Sequence, residues 1–136
     1  MSDRFEAFLE SIKNQERKES FHKEVNDYLE KKFEELIPID IRKKYGQFST
    51  PLPLARLMAL WGHKIGSIKT VLDPAVGCGI LVRQVLACAP EEAKVSHVLC
   101  FDIDPLMLKA TNYSLSRWTS LRIEFKQEDF LFSTPL

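Results

Sequence analysis

The stretch Asp73-Pro74-Ala75-Val76-Gly77-Cys78-Gly79 lies between an apolar run, Thr70-Val71-Leu72, and a helical pattern, Ile80-Leu81-Val82-Arg83-Gln84-Val85-Leu86. A short strand that ends on a carboxylate and turns through glycines lets backbone approach a ligand closely, because glycine lacks a Cβ and tolerates positive φ. The helix behind the turn aims its unpaired amide hydrogens at the same place. About two dozen residues later a second apolar run, His97-Val98-Leu99-Cys100-Phe101, ends in Asp102-Ile103-Asp104-Pro105, where nucleotide-binding α/β folds hold an acid against ribose hydroxyls. The chemistry these two turns could do together is to hold a nucleoside.

Strands that alternate with helices would bring such turns to one end of a sheet. The apolar pattern predicts a helix from about Pro51 to Lys64, a strand near Val71, a helix near Leu81 to Ala89 and a strand near Val98 to Phe101. Asp104-Pro105 reads as a cap followed by a first-turn proline, opening a helix to about Ser116. A third strand near Leu121 to Phe125 leads into Glu128-Asp129-Phe130-Leu131. The alternation implies an α/β fold with a parallel sheet of about three strands.

Residues 1–44 carry 21 of the 38 charged side chains, with Phe5, Phe8, Leu9, Ile12, Phe21, Val25, Tyr28, Leu29 and Leu36 at helical spacing. That concentration of charge reads as a solvated, amphipathic arm of one or two helices that covers the following domain; the sharper reading is a docking helix for a partner. Pro38 ends the arm. Residues 39–48 read as a connector, whose Arg42-Lys43-Lys44 are too few for DNA contact, and residues 45–136 form the second unit.

At 136 residues and 45% hydrophobic content the chain can build one core. Lys plus Arg and Asp plus Glu both number 19, so no overall field attracts polyanions and a stand-alone DNA binder is disfavoured. The start Met1-Ser2-Asp3-Arg4-Phe5-Glu6 lacks the apolar core of a secretory signal, and no uncharged run approaches a membrane span, so a cytoplasmic protein without membrane contact is expected. Cys78, Cys88 and Cys100 lack metal-ligand spacing; buried thiols, with no disulfide framework and no metal site, are expected. Trp61 and Trp118 read as core. His63 and His97 stand apart from any acid–nucleophile pattern, which argues against a hydrolase.

Four pieces in order, Gly46-Gln47-Phe48-Ser49-Thr50-Pro51, Asp73 to Gly79, Phe101 to Pro105, and Glu128-Asp129-Phe130-Leu131, resemble the S-adenosylmethionine-binding half of adenine-N6 DNA methyltransferases. The likeness spans about residues 45–132. It is nearest to modification subunits of type I restriction systems and to fused type IIG enzymes, and it implies part of a Rossmann-like class I methyltransferase fold. It also implies roles for particular residues. Thr50, expected as N-cap of the Pro51 helix, would lie near the methionine carboxylate. Asp73 would face the methionine ammonium, and the Pro74-Ala75 turn with Gly77 and Gly79 would curl around methionine and ribose. Asp102 would accept both ribose hydroxyls, while Asp104 is more simply a helix cap. Ile103 would pack on an adenine face, Asp129 would accept the adenine amine, and Phe130 would supply a flat apolar wall. Cys78 would matter for its small size, because methyl transfer from a sulfonium needs no enzyme thiol.

The same family carries an Asn/Asp/Ser-Pro-Pro-Tyr/Phe tetrapeptide whose oxygens accept the hydrogens of the target amine and whose ring stacks on the flipped base. No such tetrapeptide occurs in these 136 residues, so the chain is expected to bind cofactor without transferring methyl, with no catalytic residue of its own and with DNA contacts supplied by a missing region. In the family's sheet order the Val71 strand would then expose an edge, to be shielded by the amino-terminal helices, self-association or a separately encoded remainder. The alternatives are a non-catalytic cofactor-binding or interaction module, as a split subunit or remnant, and a fragment acting on RNA or protein. A Rossmann dehydrogenase fits poorly, since its fingerprint needs three glycines and Gly77-Cys78-Gly79 supplies two.

Overall fold

Three short runs of β-branched and aromatic residues pair into a parallel sheet. In the computed structural model, which describes residues 2–13 and 29–133, β1 (Thr70–Asp73), β2 (His97–Phe101) and β3 (Arg122–Lys126) lie in the order β1-β2-β3. Val71 stands opposite Val98, and Val98 opposite Ile123. Successive side chains of a strand point to opposite faces, so Val98 and Cys100 share one face, where they pack with Val82, Leu86 and Leu115. The last three belong to or directly follow helices α5 (Ile80–Ala87) and α6 (Pro105–Ser114), which puts both crossover helices against the same face. The expected three-stranded, Rossmann-like α/β sheet is therefore what the chain forms. Among the described residues β1 pairs with β2 alone, and its outward Leu72 is 38% exposed.

The amino-terminal segments contribute more than a cover. Helix α1 (Ser2–Lys13) and the helical residues 29–36 (α2) send Phe5, Leu9, Leu29 and Phe33 into a cluster with Cys78, Met107, Ala110 and Tyr113. The Phe5 ring meets Phe33 edge-on at 5.3 Å between centroids. Lys109 of α6 reaches Glu6 at 3.1 Å and Glu10 at 2.7 Å on α1. Phe21, Val25, Tyr28 and the side chain of Ile12, also read as apolar helix positions, lie outside the described residues, as do residues 134–136.

Residues 39–48 are not a plain connector. Ile39–Tyr45 form helix α3, with Pro38 at its N-cap, Asp40 in the first turn, basic Arg42, Lys43 and Lys44 in the last, and Gly46 as a left-handed cap. Acid at the start and base at the end both oppose the helix dipole favourably. Helix α4 (Leu52–Ile65) follows and packs on α5 through Ala55 and Ala59, its two buried residues. Trp61, expected in the core, is instead 64% exposed, because the small alanines occupy the stripe that faces α5. Among the described residues no helix is long and apolar enough to cross a membrane.

Candidate functional site

The loops that leave the carboxyl ends of the three strands meet in one cavity of about 270 Å³, the end of a parallel sheet where ligands are held. After β1, Asp73 accepts the Ala75 amide at 3.1 Å and closes a tight turn. The Val76 amide then donates to the Phe101 carbonyl at 2.9 Å, which ties the loop to the end of β2. Gly77 and Gly79 take the left-handed φ values of 57° and 90° that a side chain resists. A Cβ on Gly79 would come within 3.1 Å of the Thr111 side chain, whereas one on Gly77 would meet open space. The Thr111 hydroxyl donates to the Gly77 carbonyl at 2.7 Å and fixes the loop from behind.

Asp102 is the polar centre of the cavity. Its two oxygens accept the backbone amides of Gly77 and Asp104, each at 3.0 Å, and a carboxylate with about four lone-pair sites keeps acceptor capacity for a ligand. Burial pushes its carboxyl above the usual aspartate value of 3.8, against the pull of those amides. Asp73 is raised as well, first by burial and then, opposed by its Ala75 hydrogen bond, by the negative charge of Asp102. Burial also lifts the Cys78 thiol well above its ordinary value and pushes Cys100 up to about 12. Both thiols thus stay protonated and unreactive at neutral pH, in keeping with Cys78 serving by size.

The structure brings Thr50, Pro74, Ala75, Gly77, Asp102, Ile103 and Asp129 to the wall of this cavity. Ile103 is 54% exposed and offers an apolar face. The other expected residues stand back from the wall. Asp73 is buried at the strand end, and Gly79 caps α5. Phe130 turns its ring onto Phe101, 5.1 Å away and nearly perpendicular, rather than into the cavity. Asp129 caps the 3₁₀ turn Phe130–Phe132 by accepting the Leu131 amide at 3.0 Å. Asp104 caps α6 as expected, accepting from Leu106 at 2.9 Å.

Thr50 is not the cap of α4. That position falls to Pro51, which makes no side-chain cap bond but accepts the Ala55 amide on its carbonyl at 3.0 Å. Pro51 takes an extended ψ of 139° in place of a helical value, so the helix begins one residue later and Thr50 is left on the cavity wall. Sequence reasoning missed Phe33, Tyr45, Gln47 and Met107 as wall residues. Phe33 comes from the charged arm, and its helical spacing four residues after Leu29 and four before Ile37 is the signal that could have flagged it.

The donors and apolar faces of this wall suit a nucleoside carrying an amino-acid tail. Asp102 offers carboxylate acceptors and Ile103 an exposed apolar face, with Thr50 lining the same cavity. No established family profile matches the chain. Over 82 residues it is 38% identical to the type II methyltransferase M.AccI of Acinetobacter calcoaceticus. That stretch is 59% of this chain and 14% of the relative, so the chain spans a small part of the protein it matches. The three-stranded parallel sheet with its crossover helices is that of a partial Rossmann-like α/β fold.

Proposed function

We propose that this chain is the S-adenosylmethionine-binding portion of a DNA adenine-N6 methyltransferase from a restriction-modification system, inactive in methyl transfer without further polypeptide. The observation that carries the reading is Asp102, held by the Gly77 and Asp104 amides at the end of β2 in one cavity with Thr50 and Asp129. Asp102 would accept the ribose hydroxyls, Ile103 would cover an adenine face and Asp129 would take the adenine amine. Gly77, whose missing Cβ leaves open space, would let backbone approach the ribose and methionine. Thr50 would meet the methionine carboxylate. Asp73 would act from behind the turn, as a fixed negative charge near the methionine ammonium. The cofactor would supply an electrophilic methyl on sulfur. The adenine-N6 and restriction-modification assignments rest on the order of the four motifs; the type II methyltransferase relative supports the coarser methyltransferase reading.

Calorimetric titration with S-adenosylmethionine and S-adenosylhomocysteine tests this reading, with Asp102→Ala as the control. Saturable binding that the variant loses is expected; a folded chain that binds neither ligand overturns the reading. Incorporation of labelled methyl into DNA by residues 1–136 alone would overturn the inactive part of it. Acidification should weaken binding, since ligand hydroxyls need the ionised Asp102 as acceptor and its carboxyl lies above 3.8. Stability of the unliganded chain should move the opposite way. The folded state holds the Asp102 proton over a window that opens at 3.8, where the unfolded chain has released it, so stability falls as pH rises through that window. Asp102→Asn should remove that part of the slope in denaturant titrations run across pH.

A further inference from the structure

We infer that Gln47 is a positioning residue, whose side-chain amide latches the 46–50 segment to the loop after β2 so that two walls of the cavity grip one ligand together. The inference rests on the cofactor reading above. Helix α3 ends at Gly46, whose φ of 65° sends the chain into the left-handed region. Gly46 donates to the Lys43 carbonyl at 3.3 Å and Gln47 to the Arg42 carbonyl at 2.8 Å, the paired bonds of a Schellman ending. The residue after the glycine in that motif commonly makes an apolar contact. Here it is a glutamine, and its backbone is fixed by the turn.

From that fixed position Gln47 Nε2 donates to Asp104 Oδ2 at 2.8 Å, across 57 residues of sequence. The other Asp104 oxygen already caps α6 through the Leu106 amide. One carboxylate therefore holds a helix end with one oxygen and a distant segment with the other. Among the described residues no other side-chain hydrogen bond joins segment 46–50 to residues 102–105. Apolar burial is a weak substitute, because Tyr45 is 53% and Phe48 58% exposed. Arg42 stiffens the same segment from its far side, with Nε donating to the Ile37 carbonyl at 3.1 Å and the guanidinium 5.9 Å from the Phe48 ring centre.

Gly46 and Thr50 from one segment and Asp102 and Ile103 from another line the same cavity and are taken as its two walls. A ligand that touches both walls must order them relative to each other, whereas a ligand on the Asp102 side alone need not. The latch supplies that ordering in advance, which is how preorganisation raises affinity.

The test titrates the whole chain with S-adenosylhomocysteine, which would span both walls, and with adenosine, which would use the Asp102 side. Gln47→Leu should weaken S-adenosylhomocysteine about tenfold, the worth of a hydrogen bond to a charged group, and leave adenosine within about twofold. Asp104→Ser keeps a hydroxyl for the α6 cap but is too short to reach Gln47. It should give a loss similar to that of Gln47→Leu, and the double variant should lose no more than the worse single. Equal losses for both ligands, additive losses, or no loss would overturn the latch. If the unaltered chain binds neither ligand, the cofactor reading fails by itself. The latch is then judged by hydrogen exchange, in which amides 48–50 should exchange faster in Gln47→Leu while those of β2 do not; unchanged exchange overturns it.

Discussion

The amino-terminal arm and helix α4 invert what their compositions suggest. The arm is the most charged part of the chain, yet Phe5, Leu9 and Leu29 have no exposed surface and close a core over α6 and the cofactor-type loop. Helix α4 carries few charges, yet Leu57, Met58, Leu60, Trp61 and Ile65 are between 48% and 66% exposed. Both are amphipathic helices laid on the same α/β core. The difference lies in which stripe meets a partner: the arm presents large apolar residues to α6 while its acids pair with Lys109 at the rim. Helix α4 presents Ala55 and Ala59 to α5 and turns its large residues outward. Charge density therefore says where solvent reaches the rim of a helix and little about whether its apolar stripe is covered.

The largest effect should come from Phe5→Ala. The ring is fully buried against Phe33, and truncating such a phenylalanine costs about 3–5 kcal/mol. Denaturant unfolding at constant m-value measures the loss. A change below about 1 kcal/mol would mean that the arm is a detachable cover.

A smaller effect should follow Glu30→Gln, because the arm is also tied down electrostatically. Arg83 of α5 has no exposed side-chain surface, and its Nη2 donates to Glu30 Oε1 at 2.7 Å while Nη1 donates to the Ser114 hydroxyl. Burial raises the Glu30 carboxyl above its ordinary 4.5 even against the pull of Arg83. Glutamine keeps the shape and one acceptor but removes the charge that answers a buried guanidinium. A loss of about 1–3 kcal/mol is expected in the same unfolding measurement. No loss would mean that apolar contact alone docks the arm.

The loop and its acid were legible because their information is local. Two glycines at left-handed φ, an aspartate at each of two strand ends and a proline in the first turn of α6 each act within a few residues. Helix α3 was missed although Asp40, Arg42 to Lys44 and Gly46 are start and stop signals, because seven residues hold too few turns for apolar periodicity to register. Thr50 was misplaced by one position because Pro51, expected as the first helical residue, takes an extended ψ of 139° and becomes the N-cap itself. Phe33, Trp61 and Phe130 depend on what lies across from them. Sequence spacing shows that each can sit on a helix or turn, but tertiary contact alone decides that Phe33 reaches the cavity, Trp61 faces outward and Phe130 meets Phe101.

The smallest effect on folding should belong to the outward face of α4. Leu57→Ser and Trp61→Ser remove side chains that are 63% and 64% exposed, and surface changes of this kind stay within about 0.5 kcal/mol. A cluster of large apolar groups on one helix face is also the surface on which a soluble chain associates. The paired substitutions should therefore leave the unfolding midpoint in place while lowering light scattering at high protein concentration. A large drop in the midpoint would put Leu57 and Trp61 inside a core, and the contrast between the arm and α4 would disappear. Unchanged stability with reduced scattering would mean that α4, unlike the charged arm, leaves its large apolar stripe open to association between chains.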